Sequence, residues 1–198
     1  RDEQGRIRVS EDGTPLKASE YVKLGNSNPR WQMGWSNNLN YKNFGLYFLI
    51  DGKFDYDVLS VTQSVLDGYG VSAASGDARN AGGVAVNGVD PNGNAVTTID
   101  AQEYYTTVGG IGPVTSNYMY NGSAIRLREI SLSYDFKLNN KYFKGLKLAA
   151  TGRNLFFLYK DAPFDPETTM STGNGLSGVD IFMMPSSRSY GLSLNVNF

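Results

Sequence analysis

Apolar and polar residues alternate with a period of two in five separate stretches, the pattern of a β-strand with one apolar face. In the first, Trp31, Met33, Trp35, Leu39 and Tyr41 fall on one side, interrupted by Asn37, and Gln32, Gly34, Ser36, Asn38 and Asn40 fall on the other. Lys42-Asn43 reads as a two-residue turn. Directly after it Phe44, Leu46, Phe48 and Ile50 oppose Gly45, Tyr47, Leu49, Asp51 and Lys53. The third strand covers Ala124 to Phe136. Its apolar frame changes from Ile125 and Leu127 to Ile130, Leu132, Tyr134 and Phe136, which predicts a bulge near Arg128 and Glu129. The fourth passes from Leu146 through Leu148, Ala150, Gly152 and Asn154 to Phe156. The fifth sets Tyr190, Leu192, Leu194, Val196 and Phe198 against Gly191, Ser193, Asn195 and Asn197.

The connections are unequal. Two residues join the first pair of strands and a modest turn at Asn139-Asn140 joins the third and fourth, whereas residues 55–123 and 159–187 form long connections. With antiparallel neighbours, both short turns fall at one end of the sheet and both long loops at the other, together with residues 1–30. Within the loops, Val58, Val61, Val65 and Leu66 predict a helix over Asp55 to Leu66, with Gly68 suited to its C-terminal cap. Val84 to Val86 and Ala95 to Ile99 predict a small hairpin around Asp90-Pro91-Asn92-Gly93-Asn94. Asp100 with Glu103 predicts a capping box that opens a short helix through Tyr104 and Tyr105. The run of small residues from Val71 to Gly83 reads as loop, not as a linker between domains.

A soluble β-sandwich or barrel also produces such alternation. Three features favour a membrane barrel. The apolar faces begin and end on aromatics (Trp31 and Tyr41, Tyr190 and Phe198), and rings of this kind favour a membrane interface. Tilted by about 40°, the run from Trp31 to Tyr41 spans roughly 25 Å, close to the apolar band of an outer-membrane barrel. The opposite faces carry Gly, Ser and Asn, which suit a wet or plugged interior better than a water-facing sheet. Long loops at one end with short turns at the other complete the pattern. Five strands cannot close in lipid, because an open edge leaves backbone groups unpaired and transmembrane barrels need about eight strands or more. The chain is therefore expected to be the C-terminal part of a larger barrel, beginning in an exposed loop. Its charged opening, Arg1-Asp2-Glu3-Gln4-Gly5-Arg6, holds no signal peptide.

Composition narrows the chemistry. With no His and no Cys among 198 residues there is no Ser-His-Asp triad, no thiol nucleophile, no disulfide and no zinc site of the usual kind. A formal charge of −1 supplies no basic field for nucleic acid. No apolar run reaches the roughly 18 residues of a membrane helix, a limit that does not apply to strands. An enzyme is thus the least supported class, and no cofactor or metal is expected.

Particular strings resemble the SusC/RagA family of TonB-dependent outer-membrane transporters. Gly25-Asn26-Ser27-Asn28-Pro29-Arg30-Trp31 followed by Asn37-Asn38-Leu39-Asn40-Tyr41-Lys42-Asn43-Phe44 is similar to its late-barrel strands. Ala124 through Tyr134 resembles its Arg-Leu-containing strand, Gly152-Arg153-Asn154-Leu155-Phe156 its "GxNLF" strand, and Ala162-Pro163-Phe164-Asp165-Pro166-Glu167 the "DPE" loop that follows. Met184 through Leu192 resembles the final strand, which ends on Phe198. The resemblance covers the chain from about residue 20. It implies an all-β fold: the C-terminal strands of a large antiparallel transmembrane β-barrel of about 22 strands, with long extracellular loops. It divides the chain into an extracellular loop (1–30), a hairpin (31–54), a long extracellular loop (55–123), a second hairpin (124–158), an extracellular loop (159–187) and the final strand (188–198). Import of a glycan or oligopeptide across the cell outer membrane of Bacteroidetes is the function implied. The implied partners are a SusD-like surface lipoprotein, the TonB complex through an N-terminal part not in this chain, the rest of the barrel and its plug, and the outer-membrane assembly machinery. A soluble carbohydrate-binding β-sandwich is the alternative.

Few residues carry chemistry of their own. Phe198, an aromatic C-terminus on an alternating strand, resembles the assembly signal of such barrels; otherwise it merely ends a buried strand. Tyr104, Tyr105, Tyr118 and Tyr120 flank Gly109-Gly110-Ile111-Gly112 and are candidates for substrate or lid contact, or else pack the loop against itself. Asp161, Asp165 and Glu167 fit Asp-Pro turn chemistry better than an acid/base pair or a calcium site. Asp90, Asn92 and Asn94 begin like a calcium loop, but Ala95 and Ala101 stand where its Gly and bidentate Glu belong. Arg126, Arg128 and Arg153 are expected to point into the lumen, since a lipid-facing Arg costs about 2–4 kcal/mol at the midplane. There they pair with plug acids or with acids of neighbouring strands.

Overall fold

Wherever the alternation runs, a long strand forms. The computed structural model describes residues 1–138, 144–171, 173 and 175–197. Its elements in chain order are β1 (Ile7–Arg8), β2 (Trp31–Tyr41), β3 (Phe44–Phe54), β4 (Asp57–Ser60), α1 (Val61–Gly68), α2 (Ala73–Asn80), β5 (Val84–Val89) and β6 (Ala95–Ile99). Then follow α3 (Ala101–Val108), a 3-10 turn at Thr115–Asn117, β7 (Met119–Asn121), β8 (Ala124–Phe136), β9 (Gly145–Lys160), β10 (Val179–Asp180) and β11 (Ser189–Asn197). The chain divides into two compact units. The expected turn at Asn139-Asn140, like Phe198, lies outside the described residues.

One unit, built from Asn26–Val58, Asn121–Thr168 and the chain from Met184, is a five-stranded antiparallel sheet in the order β11-β9-β8-β3-β2. Every long strand pairs with the next long strand in sequence, so the sheet is an up-and-down meander. The registers line the side chains up in rows across the sheet. Leu39, Leu46, Leu132, Ala150 and Leu192 form one apolar row, and Tyr41, Phe44, Tyr134, Leu148 and Leu194 the next. Between them, on the other face, lies the polar row Asn40, Gly45, Ser133, Ala149 and Ser193. Because the side-chain period is two, one register settles both faces. The tight connection at Lys42 takes a positive φ of 54°.

The predicted bulge is present. Register shifts on both sides of β8 leave Arg128 as an extra residue between Leu127 and Glu129. Opposite it, Asn154 on β9 adopts φ 51°, a left-handed conformation that Asn tolerates better than most residues. Paired irregularities of this kind bend the ladder and re-aim side chains, here the arginines.

The other unit, Arg1–Gly25, Leu59–Tyr120 and Thr169–Met183, holds the three helices and two small sheets. β1 adds in parallel to the antiparallel hairpin β5-β6, whose turn falls at residues 90–94 as the Asp-Pro-Asn-Gly-Asn string predicts. Val9, Ile99, Val108 and Tyr118 are buried there. Asp100 caps α3 by accepting from the N–H groups of Gln102 and Glu103 at 2.8 and 3.2 Å.

Two expectations for this region fail. The helix predicted over Asp55 to Leu66 begins only at Val61, because Asp57–Ser60 extends as β4 and Val179–Asp180 pairs beside Leu59 and Ser60. Ser60 then caps α1, its Oγ accepting from Gln63 N–H at 3.1 Å and donating to Asp180 Oδ2 at 3.0 Å. The small-residue run read as loop contains α2, capped by Ser72 through the N–H of Ser75 at 3.0 Å. The run lies inside a single compact unit.

Candidate functional site

The sheet presents two unlike faces. On the apolar face Trp35, Leu132 and Leu194 are 56%, 54% and 59% exposed. They do not converge on a dry interior, as the residues of a two-layer sandwich would. Trp35 meets Phe48 edge-on at 5.2 Å, and Tyr134 contacts both Phe44 and Phe136 at 4.7 and 4.6 Å. A contiguous apolar face of this extent on a soluble monomer would be a liability and marks a surface meant for another apolar medium.

The polar face ends in an ion cluster built by the bulge. Arg126, 4% exposed, donates from Nη1 to Glu167 Oε2 at 2.7 Å and lies 3.7 Å from Asp165 Oδ2. Its guanidinium also stacks over the Phe157 ring, 4.3 Å from the centroid. Arg128 pairs with Asp51 at 2.9 Å, with Glu167 Oε1, and donates to Asn154 Oδ1 at 3.2 Å. Lys53 approaches Glu167 Oε1 at 3.2 Å, and Arg153 pairs with Glu129 at 2.9 Å. Three cations thus share one carboxylate. Burial alone would raise the Glu167 carboxyl, but hydrogen bonds from Arg128 and Arg126 and the charges of Arg128 and Lys53 outweigh it and hold the group at about 2. Nearby Tyr56 is pushed up to about 12, by burial first and then by the charges of Glu167 and Asp165. Its hydroxyl and Arg126 Nε are buried without a hydrogen-bond partner among the described residues.

These contacts sort the sequence candidates. Asp165 performs the expected turn chemistry, accepting from Glu167 N–H at 3.0 Å, while its carbonyl accepts from Thr168 N–H at 3.2 Å. Glu167 does far more than shape a turn, a role that sequence reasoning missed. The only available signal was an acid two residues past Asp165 in a chain with three strand arginines that each call for an acid. The arginines pair with acids of neighbouring strands and of the loop after β9. Asp161 accepts from Tyr159 Oη at 2.5 Å. Asp90 spends its carboxylate on its own turn, accepting from Asn92 and Asn94 N–H at 2.9 and 2.8 Å. No group of three or more His, Cys, Asp or Glu side chains placed to hold a metal occurs among the described residues.

In the helical unit the four tyrosines gather about Asp67. Tyr118 is buried, while Tyr104, Tyr105 and Tyr120 are half-buried. Tyr104 and Tyr105 meet edge-on at 5.2 Å. Burial, and secondarily the charge of Asp67 and its hydrogen bond, push the Tyr118 hydroxyl far above its ordinary range. Tyr105 lines a cavity of about 190 Å³ together with Asp67, Arg79 and Gln102. Tyr104 faces a different cavity, beside Arg8 and Lys17.

No protein-family model matches the chain. Among curated proteins it is 25% identical over 206 residues to TonB-dependent receptor P3 of Formosa agariphila, covering 100% of this chain and 19% of that protein. It is 26% identical over 204 residues to TonB-dependent receptor P26 of the same organism, covering 92% of this chain and 18% of that protein. The chain therefore spans about a fifth of the length of the curated relatives it matches. Among solved structures, the RagAB peptide importer in its 'open-open' state aligns with a TM-score of 0.63 at 15% identity, over 98% of this chain and 20% of that one. The 'closed-closed' state aligns with a TM-score of 0.60 at 16% identity, over 96% and 20%. In sequence the chain is similar to TonB-dependent receptors, and in fold to about a fifth of the RagAB peptide importer.

Proposed function

We propose that this chain is the C-terminal wall of an outer-membrane barrel that imports a glycan or oligopeptide with energy from TonB. The observation that carries it is the sheet itself. Chain-ordered antiparallel strands expose apolar rows on one face and Gly, Ser and Asn on the other. In lipid the apolar rows meet acyl chains and the polar rows line a wet or plugged lumen. Residues 31–54 and 124–158 are then hairpins, 188–198 the final strand, and 1–30, 55–123 and 159–187 loops outside the cell. The RagAB importer is named for peptide, which supports an oligomeric nutrient as cargo; a SusD-like lipoprotein is the partner proposed with it. The plug, the remaining strands and the TonB contact belong to segments outside this chain. No catalytic step or cofactor forms part of the proposal.

The test uses the full-length receptor in its own cells. Fluorescent oligosaccharide or oligopeptide should accumulate only when TonB and the proton gradient are intact, and the receptor should fractionate with the outer membrane. Recovery in the aqueous fraction without detergent would favour the carbohydrate-binding sandwich instead. Phe198 is proposed as the assembly signal: deleting it should lower the amount of receptor inserted in the outer membrane, measured against an internal loop deletion of equal size. Unchanged insertion would remove that role.

A further inference from the structure

The chain is almost neutral, yet one corner of the helical unit is not. β1 is clamped between β5 and the segment after the Ser10–Thr14 turn: Val9 N–H donates to Val89 O at 3.0 Å and Leu16 N–H to Arg8 O at 2.8 Å. This clamp fixes Arg8 beside Lys17. Two cavities, of about 140 and 430 Å³, share Arg1, Arg8 and Lys17 in their walls. None of these three cations forms an ion pair among the described residues, whereas Arg6, Arg126, Arg128 and Arg153 all do. The acid that lines the larger cavity is Glu20, and no acid lines the smaller one. Arg1 Nη1 donates to Gly5 O at 2.7 Å and Lys17 Nζ to Gly112 O at 3.3 Å, bonds that hold the side chains in place while leaving other donors free. Tyr104 forms part of the smaller cavity's wall, and its hydroxyl accepts from Asn117 Nδ2 at 3.4 Å.

We propose that Arg1, Arg8 and Lys17, with the Tyr104 ring, form a subsite for an acidic saccharide, the cations taking a carboxylate or sulfate substituent and the ring stacking on the sugar face. A guanidinium matches the two oxygens of such an anion in a fork, and an ammonium adds a point charge. Sugar C–H groups are weakly positive and meet the negative face of an aromatic ring. Tyr104 favours a saccharide over an acidic peptide, which would use the charges but not the ring. The inference rests on the import function proposed above, since it assigns the class of cargo.

Binding to the purified full-length receptor in detergent tests it, with four probes: trigalacturonate, a sulfated carrageenan tetrasaccharide, maltotriose and triglutamate. One of the two acidic saccharides should bind at least about tenfold more tightly than maltotriose and triglutamate, and which one identifies the substituent. Arg8→Gln and Lys17→Gln should each weaken that probe about tenfold with unchanged thermal unfolding. Tyr104→Leu should weaken it severalfold and Tyr104→Phe should not. The subsite is overturned if no acidic saccharide binds, if maltotriose or triglutamate binds as tightly, or if the variants bind like wild type. TonB-dependent uptake separates the two claims. Uptake without charge-dependent binding sinks the subsite and leaves import standing, and charge-dependent binding without uptake sinks import and leaves the subsite.

Discussion

Glu167→Ala should cost the receptor about 3–5 kcal/mol of stability, the range measured when one partner of a buried ion pair is removed. Arg126 is 4% exposed and would keep its charge, with only the 3.7 Å approach of Asp165 to balance it. Arg128 would retain Asp51, so its loss is smaller. Urea unfolding of the full-length receptor, followed by tryptophan fluorescence, measures the effect. Glu167→Gln should fall between the two, because an amide still accepts a hydrogen bond. The double replacement Arg126→Met with Glu167→Met should recover much of the loss, since no buried charge is then left uncompensated. A single variant within about 0.5 kcal/mol of wild type, the usual span of uninvolved surface sites, would show that the cluster is decorative. The same carboxylate sets an acid limit. Its folded value of about 2 lies below the ordinary 4.5, so the stability it contributes is present above pH 4.5 and is lost as pH falls toward 2. Near neutrality the contribution is flat.

Leu132→Arg should cost about 2–4 kcal/mol and sharply reduce insertion, whereas Ser131→Arg should be near neutral. The two residues are adjacent but face opposite sides, because β8 alternates. Leu132 lies in the row of Leu39, Leu46, Ala150 and Leu192, in the middle of the apolar band, while Ser131 shares its face with Thr151, whose Oγ1 donates to it at 3.0 Å. The amount of folded receptor in outer-membrane preparations, compared between the two variants, is the measurement. In a water-soluble sheet the exposed Leu132 position would accept Arg without penalty. Equal insertion of both variants would therefore contradict lipid on the apolar side.

The strands and their bulge were legible because their cause is local. A side chain points opposite to its neighbours whatever the rest of the chain does, so Trp31 to Tyr41 or Tyr190 to Val196 announce a two-faced strand from composition alone. The frame shift at Arg128 was visible for the same reason. Asp57–Ser60 was misread because Val58 and Val61 fit a helical spacing as well as an extended one; pairing with Val179–Asp180, over a hundred residues away, decided it. α2 was missed because Ala73 to Asn80 has almost no apolar pattern, and its Ser72 cap was the sole local sign.

By itself the sequence determined which residues alternate, where the short turns fall, and that a strand arginine needs an acid. Only the tertiary structure decided which acid. Glu167 lies 41 residues from Arg126 and 39 from Arg128, and nothing local relates them. Likewise Arg8 and Lys17 become one charged corner only once β5 clamps Val9 and the turn at Ser10–Thr14 folds back. Periodicity acts between adjacent residues, whereas charge pairing acts through space and strengthens only when the fold removes the water between partners.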